Sequence, residues 1–330
     1  MNVLVVGGAG YIGSHMVKML REHGHAVLVF DNLCGGYRDA LLGAELVEAD
    51  LADRAALDAV FAGRKFDAVM HFASFIQVGE SVQLPDKYYR NNVANTLNLL
   101  DAMVAHGVER FIFSSTAAIF GEPEQVPIDE RQPSRPLNPY GHSKAMMEQI
   151  LADYGRAFGL RHICLRYFNA AGADLEGLLG ERHEPETHLI PLVLQVAAGR
   201  RAHIAVYGRD YPTPDGTCIR DYIHVVDLCG AHLLALQRLM DGGDSDCFNL
   251  GNGAGFSVQE VIDSARRITG RSIEVLDAPR REGDPARLVA DPAKAHALLG
   301  WTPHHAQLDT IIESAWRWEC SSRQSSPEKG

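Results

Sequence analysis

The sequence predicts an α/β protein with a doubly wound parallel sheet, of the Rossmann type, and a smaller C-terminal α/β domain that caps it. Through the first half of the chain, short apolar runs alternate with amphipathic stretches, which is the pattern of successive βαβ units. From about Gly172 onward, segments rich in Gly, Pro, Asp and Thr appear, and a second alternation follows. Right-handed crossovers between parallel strands then place helices on both faces of the sheet.

The individual elements follow from these runs in chain order. Strands are expected at Val3–Val6, Ala26–Phe30, Glu45–Val47, Ala68–Phe72, Phe111–Ser114 and His162–Arg166. Helices are expected at Ile12–His23, Arg54–Phe61, Asp86–His106 and Pro139–Phe158, and later at His188–Ala198, Val226–Met240, Val258–Thr269 and Pro292–Leu299. We therefore expect a first domain over 1–171, to which elements around 219–250 return, a second domain over 172–318, and a flexible tail over 319–330.

Composition and charge exclude several classes of function. The chain has a net charge of −11, so an extended nucleic-acid-binding surface, which needs clustered Lys and Arg, is not expected. No apolar run approaches the roughly 20 residues of a membrane span, and the N-terminus lacks the basic lead of a signal peptide. The six cysteines form no CxxC pair and the histidines no HExxH cluster, so we expect a cytoplasmic protein with reduced thiols and no metal site.

A glycine-rich turn follows the first predicted strand and precedes the first helix. Gly7, Gly10 and Gly13 form a GxxGxxG pattern. Glycines at these positions permit a tight turn, let the backbone approach a pyrophosphate, and allow the helix to pack closely on the strand. The helix that starts near Tyr11 directs its free N–H groups and the positive end of its dipole toward the anion. The pattern indicates a dinucleotide-binding loop.

Two carboxylates follow the second and third predicted strands. Asp31 is placed to accept hydrogen bonds from an adenosine ribose and to repel a 2′-phosphate, so NAD is favoured over NADP. Arg38 is close enough in the sequence to keep NADP open as an alternative. Asp50 is placed to reach the adenine amino group, to act as the N-cap of the helix that follows, or to do both.

Tyr140 and Lys144 are candidates for proton transfer. They lie four residues apart at the start of a predicted helix, so they share one face of it. A free tyrosine has a pKa of about 10, and a neighbouring ammonium group lowers that value by stabilising the phenolate. Tyr140 then becomes a usable general base for an alcohol proton.

A run of hydroxyl side chains ends the predicted strand that begins at Phe111. Ligands bind at the carboxyl ends of parallel strands in such sheets. Thr116 is therefore expected to bind the substrate hydroxyl and orient its proton, and Ser114 to contact the cofactor. The alternative is that these hydroxyls only cap the end of the strand.

These motifs together resemble the extended short-chain dehydrogenase/reductase family, over nearly the whole chain. The resemblance rests on the glycine loop, on Asp31-Asn32-Leu33, on the hydroxyl run and on the Tyr140–Lys144 pair. Longer strings resemble the UDP-galactose 4-epimerases of that family: His71-Phe72-Ala73, Val78–Ser81, Tyr167-Phe168-Asn169, Asp215–Val225 and Pro279–Asp284.

The resemblance implies a reaction and its participants. NAD is held tightly on the N-terminal domain, and Tyr140 takes the proton of the sugar 4-hydroxyl while C4 gives a hydride to NAD. The 4-keto sugar then swings over and the hydride returns to its other face, which interconverts UDP-galactose and UDP-glucose. Lys144 tunes Tyr140 and holds the nicotinamide ribose. The resemblance also implies a homodimer with a helical seam.

The resemblance further implies the residues of each subsite. The cofactor contacts are Gly7, Gly10, Tyr11, Ile12, Gly13, Asp31, Asn32, Asp50, Leu51, Phe72, Ala73, Asn91, Ser114, Tyr140, Lys144 and Tyr167. The substrate contacts beside Thr116 and Tyr140 are Asn169, His188 and Leu189 at the sugar and diphosphate, Tyr207 on the uracil, Arg220 and Arg281 on the pyrophosphate, and Asp284 on the uridine ribose. Arginine suits the pyrophosphate because its planar fork matches phosphate oxygens.

Departures from the family pattern leave the sugar open. Ile76 stands where some relatives carry a lysine, and His188 where some carry an asparagine. Leu288 occupies the position that gates the sugar 2-substituent, and its intermediate size leaves N-acetyl sugars as an alternative. UDP-pentoses are a further alternative, because their C4 chemistry is identical and only the pocket around C5 differs. A 4,6-dehydratase is disfavoured because Ala117 and Ala118 stand where it needs an acid pair. A decarboxylase, a reductase and, more distantly, a non-catalytic NAD-binding protein are the remaining alternatives.

Overall fold

A seven-stranded parallel sheet organises the larger part of the chain. The computed structural model of the protein describes residues 1–281 and 284–321. Numbered in chain order, the strands of this sheet lie side by side as β11 (Asp246–Leu250), β6 (Arg161–Tyr167), β5 (Arg110–Thr116), β4 (Ala68–His71), β1 (Asn2–Val6), β2 (Ala26–Asp31) and β3 (Glu45–Glu48). The predicted doubly wound sheet and its first six strands are confirmed.

Helices cover both faces of this sheet. They are α1 (Tyr11–Glu22), α2 (Arg54–Gly63), α3 (Val78–Gln83), α4 (Pro85–Tyr89), α5 (Asn95–Ala105), α6 (Pro139–Phe158) and α8 (Val225–Met240). Alternate side chains of β1 serve the two faces. Val3 and Val5 pack in a core with α1 and α8, whereas Leu4 and Val6 pack in another with α2, α5 and α6. The sheet is therefore buried on both sides, as its apolar strands require.

One predicted helix differs from the structure. A single helix was expected over Asp86–His106, but α4 and α5 are joined by a π-helical turn over Arg90–Ala94. The side chain of Asn92, inside this turn, is buried and bonds to the backbone of Phe75 in a neighbouring loop. A π-turn of this kind is a common feature of functional sites.

The C-terminal part has a core of its own. The helices α7 (Leu189–Ala197), α9 (Val258–Thr269) and α11 (Leu308–Ser321) pack together there, and α10 (Ala293–Leu299) lies against β11 and α8. Short strands surround them in pairs or threes: β7 (Asn169–Ala171) with β10 (Tyr222–His224), β8 (Ile204–Tyr207) with β13 (Val275–Ala278), and β9 (Ile219–Arg220) with β12 (Phe256–Ser257) and β14 (Arg287–Leu288). The helices predicted at α7, α9 and α10 are confirmed, as is the one predicted at α8 in the larger part, whereas α11 was not predicted.

Two elements of the second half lie in the larger part. Strand β11 pairs with β6, and α8 packs against α1, β5 and β6. How the chain divides into domains stays a prediction. The predicted tail is shorter than expected, because α11 continues through Ser321, whose hydroxyl donates to the Trp318 carbonyl at 3.0 Å. Residues 322–330 lie outside the described part of the chain.

None of the helices within 1–281 and 284–321 is long and apolar enough to cross a membrane. All six cysteines, at positions 34, 164, 218, 229, 247 and 320, are free thiols. The expected reducing compartment stays a prediction.

Candidate active site

The glycine loop connects β1 to α1 with little space beside its backbone. Gly7 has a φ of +78°, and a methyl group on it would lie 2.4 Å from the Ala73 backbone nitrogen. A methyl group on Gly13 would lie 2.1 Å from the Gly7 carbonyl oxygen. Gly10 is the N-cap of α1 and has no side chain to satisfy the first amides of the helix. The loop therefore offers bare backbone and free N–H groups, which suits a pyrophosphate.

Asp31 ends β2 beside this loop. Its carboxylate accepts hydrogen bonds from the backbone amides of Ala9 at 2.9 Å and Leu33 at 2.8 Å. Burial nevertheless raises the pKa of Asp31, and the two amide bonds oppose that shift. Each carboxylate oxygen has a second lone pair, so the group can still accept a ribose hydroxyl. Arg38, which kept NADP open, is paired with Glu48 instead.

Asp50 follows β3 and is part of the same edge. It accepts a hydrogen bond from the Asn32 amide group at 2.6 Å and another from the Ala52 backbone at 2.8 Å. Its alternative role as a helix N-cap is wrong, because Asp53 caps α2 by accepting from the Ala56 amide at 3.0 Å. Asp50 closes the turn that precedes this cap.

Lys144 is almost fully buried, with 3% of its surface exposed. Its ammonium group donates hydrogen bonds of 2.7 Å to the Ser74 hydroxyl and to the Ser114 carbonyl. It also lies 4.8 Å from the centre of the Phe113 ring. Burial lowers the pKa of Lys144 to about 7, and the negative charge of Glu148 opposes the shift. The lysine thus joins the ends of β4 and β5 to α6.

Tyr140 lies in the first turn of α6, beside the end of β5. Asn138 caps this helix by accepting a hydrogen bond from the Gly141 amide at 2.9 Å, and Pro139 occupies its first position. Burial raises the pKa of Tyr140, and a hydrogen bond with Thr116 offsets part of the rise. Thr116 also caps the next turn by accepting from the Ala118 amide at 3.1 Å. Both predicted roles of Thr116 are therefore compatible.

The expected lowering of the Tyr140 pKa by Lys144 is not found. The shared helix face was predicted correctly, but the lysine directs its ammonium group to Ser74 and Ser114, and burial dominates at the phenol. A positive charge brought in by a bound cofactor would act in the opposite direction.

Glu148 is a residue that the sequence analysis missed. It lies one turn after Lys144 and accepts hydrogen bonds from the Ser115 hydroxyl at 2.5 Å and from Arg166 at 2.5 to 3.1 Å. Both members of the ion pair are largely buried. The i, i+4 spacing after Lys144 was the available signal, but Arg166 comes from β6 and its partnership depends on the fold.

Asn92 was also missed, whereas its neighbour Asn91 was predicted. The Asn92 amide accepts from the Phe75 amide at 2.9 Å, and donates to the Phe75 carbonyl at 3.0 Å and to the Ser143 hydroxyl at 3.1 Å. Asn91 donates to the Asn92 side chain at 3.0 Å. These bonds tie the loop after β4 to α6, next to Lys144.

Several predicted cofactor residues line the same edge of the sheet. The Tyr11 hydroxyl donates to the Gly172 carbonyl at 2.7 Å, and the hydroxyls of Ser114 and Tyr167 are hydrogen-bonded to each other. Phe72 packs on the ring of His232, with 4.9 Å between centroids. Leu51 is buried, and Ile12 packs against the core that α1 shares with α8.

The predicted substrate residues form a second group on the C-terminal part. The guanidinium of Arg281 lies 3.9 Å from the centre of the half-exposed Tyr207 ring, and Arg220 pairs with Asp284. Asn169 donates from its amide group to the Asp221 carbonyl at 2.9 Å. An aromatic face, arginines and a carboxylate together match the uracil, diphosphate and ribose of a nucleotide.

Leu288 connects this group to the candidate catalytic residues. In β14 it pairs with Arg220 of β9, and its side chain packs against a small cluster that contains Ala117 and Phe120. Ala117 directly follows Thr116. The predicted gate residue thus lies between the strand end and the predicted diphosphate site.

His188 and Leu189 begin α7. His188 is the N-cap of this helix, and its Nδ1 lies 2.6 Å from Glu181 Oε1. A second histidine and a second glutamate, His183 and Glu186, complete a group of four side chains. The sequence contains the spacing Glu-x-His-x-x-Glu-x-His here, which is not the HExxH pattern whose absence led us to expect no metal site.

Comparison with known proteins agrees with this geometry. Residues 3–251 match the NAD dependent epimerase/dehydratase family. A UDP-glucose 4-epimerase of Halalkalibacterium halodurans is 52% identical over 318 residues, which cover 96% of this chain and 95% of that protein. The crystal structure of a UDP-glucose 4-epimerase from Brucella ovis in complex with NAD has 51% identity and a TM-score of 0.94, over 96% of this chain and 97% of that one.

A third relative was crystallised with both NAD and a UDP-sugar. The UDP-glucose-4-epimerase from Stenotrophomonas maltophila, with bound NAD and formylated UDP-arabinopyranose, has 40% identity and a TM-score of 0.95, over 99% of this chain and 100% of that one. Family match, sequence identity and fold therefore agree over nearly the full length. The chain belongs to the NAD dependent epimerase/dehydratase family.

Proposed function

We propose that the protein interconverts UDP-galactose and UDP-glucose by NAD-dependent epimerisation at C4. The observation that carries this proposal is that Tyr140, in the first turn of α6, and the buried Lys144 lie at the carboxyl end of β5, where Thr116 ends the strand and the Ser114 carbonyl accepts from the lysine. That end of the sheet is where ligands bind in this fold. The full-length similarity to UDP-glucose 4-epimerases supports the choice of sugar.

The residues around the glycine loop fit NAD. The backbone at Gly7 and Gly13 leaves no room for a side chain, so a pyrophosphate can approach it closely. The carboxylate of Asp31 would bind the adenosine ribose and exclude a 2′-phosphate. When bound, NAD supplies a hydride acceptor at the nicotinamide and, while oxidised, a positive charge. Ser114, Tyr167 and Lys144 would hold the nicotinamide end.

Tyr140 moves the proton of the sugar 4-hydroxyl. In one direction its phenol oxygen takes the proton as the hydroxyl becomes a ketone, and in the other it returns it. Thr116, hydrogen-bonded to Tyr140, orients the same hydroxyl. Burial raises the pKa of Tyr140, and the positive charge that oxidised NAD would supply beside the phenol would act in the opposite direction and favour its role as a base.

The C-terminal group binds the UDP moiety. Tyr207 packs on the uracil, and Asp284 accepts from the uridine ribose. Arg220 and Arg281 hold the pyrophosphate, because each guanidinium has more N–H donors than its present partners use. Asn169, His188 and Leu189 contact the sugar and the diphosphate. By this assignment residues 1–171, together with elements around 219–250, form an NAD-binding domain, and the rest of 172–318 binds the UDP-sugar.

The protein is also proposed to be a homodimer with a seam along α5 and α6. Two apolar side chains on α6, Met146 and Phe158, are 48% and 57% exposed and would be covered by a partner in this seam. These residues are on the second of the two helices that form the predicted seam.

Purified protein without added NAD should convert UDP-galactose to UDP-glucose, as followed by NMR. Tyr140→Phe should reduce turnover by about 10²–10⁴-fold with little change in UDP-sugar binding measured by calorimetry, because it removes only the base. Tyr154→Phe is the matched control, since that hydroxyl bonds to Asp101 on the surface.

Two outcomes would contradict this function. Turnover of Tyr140→Phe near that of Tyr154→Phe would remove the phenol from the mechanism. A reduced-nicotinamide absorbance that appears with UDP-galactose and persists without product would indicate another natural sugar, with UDP-arabinose the next to test.

The Glu148→Gln variant tests whether the charge of Glu148 raises the pKa of Lys144. The glutamate's charge raises the pKa of the lysine, so its loss should move the alkaline limb of the kcat profile to lower pH. We expect little loss at pH 6 and roughly tenfold at pH 8, since one pKa unit is a factor of ten. Glu148→Asp keeps the charge and should keep the limb in place. An equal, pH-independent loss in both variants would indicate a purely structural role.

The Leu288→Cys variant tests whether Leu288 limits the size of the sugar 2-substituent. A smaller side chain at the strand end should raise kcat/KM for UDP-N-acetylglucosamine by roughly tenfold, the effect of a few methyl groups in a pocket. Activity on UDP-glucose should change little. An unchanged ratio of the two activities would mean that another residue limits the 2-substituent.

Analytical ultracentrifugation tests the dimer. The protein should sediment with twice the mass of the chain, and Met146→Glu should shift it toward the monomer by placing a charge in the seam. Leu276→Glu is the control, because this residue is 47% exposed on β13, away from α6. Monomeric wild-type protein at micromolar concentration would refute the seam.

A further inference from the structure

Four potential metal ligands converge in the segment that leads into α7. Glu181, His183, Glu186 and His188 each present one ligand atom, and all four atoms lie within 4.8 Å of one another. The side chains of both glutamates are only 7% exposed. Two carboxylates are thus withdrawn from water beside two imidazoles, and such groups are stable only when paired or coordinated.

Three of the four nitrogen–oxygen distances within the group are close to those of a tetrahedral site, and the fourth is shorter. The Nδ1 atom of His188 lies 2.6 Å from Glu181 and 3.4 Å from Glu186, and the Nδ1 atom of His183 lies 3.1 Å and 3.7 Å from the same two carboxylates. Ligand bonds of about 2.0–2.2 Å in tetrahedral geometry separate the donor atoms by about 3.4 Å. The four observed distances lie on both sides of that value.

Three of these atoms make no hydrogen bonds, whereas Glu186 Oε1 accepts from the backbone amides of Thr187 at 2.7 Å and His188 at 2.8 Å. Glu181 Oε1, His183 Nδ1 and His188 Nδ1 are buried, yet none has a hydrogen-bond partner among the described residues. The rings approach the carboxylates closely without directing an N–H at an oxygen. Unsatisfied buried polar atoms are uncommon and call for an explanation, such as an ion between them. The Glu181 carboxylate, more than nine-tenths buried, is aimed into this group.

We propose that Glu181, His183, Glu186 and His188 bind one divalent transition-metal ion of the zinc type. Two imidazole nitrogens and two carboxylate oxygens are a ligand set for Zn²⁺ or Co²⁺, whereas Mg²⁺ and Ca²⁺ prefer oxygen alone. Four protein ligands fill a tetrahedral shell, so the ion has a structural role and leaves no position for a reacting water. The site itself does not depend on the proposed function.

The segment that contains Glu181 contacts two other parts of the fold. The Trp318 indole donates to the Glu181 carbonyl at 3.2 Å, and Arg182 pairs with Asp39 and lies 3.9 Å from the centre of the Tyr37 ring. The segment thus bridges α11 and the region after β2. The ion would hold the end of this segment that leads into α7.

His188 connects the ion to the substrate. Coordination by Nδ1 leaves its Nε2 free, and Leu189 follows directly. The ion would therefore fix the start of α7, the position of two proposed substrate contacts. This consequence, unlike the site, rests on the proposed function.

The alternative is a cluster held together by protons. In that case the carboxylates raise the pKa of His183 to about 9 and of His188 to about 10 against the opposing effect of burial, and Glu186 has a pKa of about 2. Two imidazolium–carboxylate pairs would be neutral overall and would bind no metal at neutral pH.

Measuring metal binding to the full-length protein distinguishes a metal site from a cluster held together by protons. After treatment with a chelator and its removal, the protein is titrated with Co²⁺ and with Zn²⁺ in the absence of nucleotide sugars. We expect one ion per chain, visible absorption of the intensity typical of tetrahedral Co²⁺, and a rise in Tm on adding Zn²⁺. His183→Gln should weaken the affinity at least 10–100-fold and abolish the rise in Tm. His304→Gln, which changes an exposed histidine, should behave as wild type.

Two results would overturn the proposal. One is the absence of stoichiometric binding to the wild-type protein, which would favour the proton-held cluster. The other is equal affinity of wild type and His183→Gln, which would place the ion elsewhere. If His183→Gln does not fold, Glu181→Gln serves as the second variant with the same readout. Because no turnover is measured, failure here leaves the proposed function untouched, and failure of the epimerase test leaves this site untouched.

Discussion

The burial of the Lys144 ammonium is the interaction on which the candidate active site depends. Removing a charge from water costs several kcal/mol, and here the hydrogen bonds that the ammonium group donates to the Ser74 hydroxyl and the Ser114 carbonyl offset part of that cost. Because Ser74 follows β4 and Ser114 ends β5, the lysine can be satisfied only if both strands and α6 are in place. The fold and the site are therefore stabilised by the same contacts, and the lowered pKa of Lys144 reflects its burial.

Two further buried groups complete this arrangement on either side of the lysine. Asn92 ties the loop after β4 to α6, and Glu148 ties α6 to the end of β5 and to Arg166 of β6. The π-helical turn at Asn92 is a departure from regular helix that its side-chain hydrogen bonds compensate. Together these groups fix α6, whose first turn carries Tyr140, against the ends of the central strands.

The sequence predicted what is local or periodic. The sheet and its helices follow from alternating apolar runs, the loop from the spacing of Gly7 and Gly13, and the catalytic pair from the helix period. It did not predict contacts between distant segments. The helix period places Lys144 on the face of Tyr140, but only the fold brings Ser74 to its ammonium group. The group at Glu181 and His188 was missed for another reason, because its spacing belongs to no regular element and its convergence depends on the path of an irregular loop.

The proposed cofactor and substrate sites differ in how their backbone is held in place. The cofactor edge is built on strand ends and a close-packed glycine loop, where regular hydrogen bonding fixes the backbone. The substrate side depends on irregular segments, such as the one before α7, whose backbone has few repeating hydrogen bonds to define it. Binding residues are often carried by such irregular segments, which a rigid scaffold holds in position. Where regular structure is absent, side-chain links such as the Arg220–Asp284 pair and the histidine–glutamate contacts before α7 must supply the order.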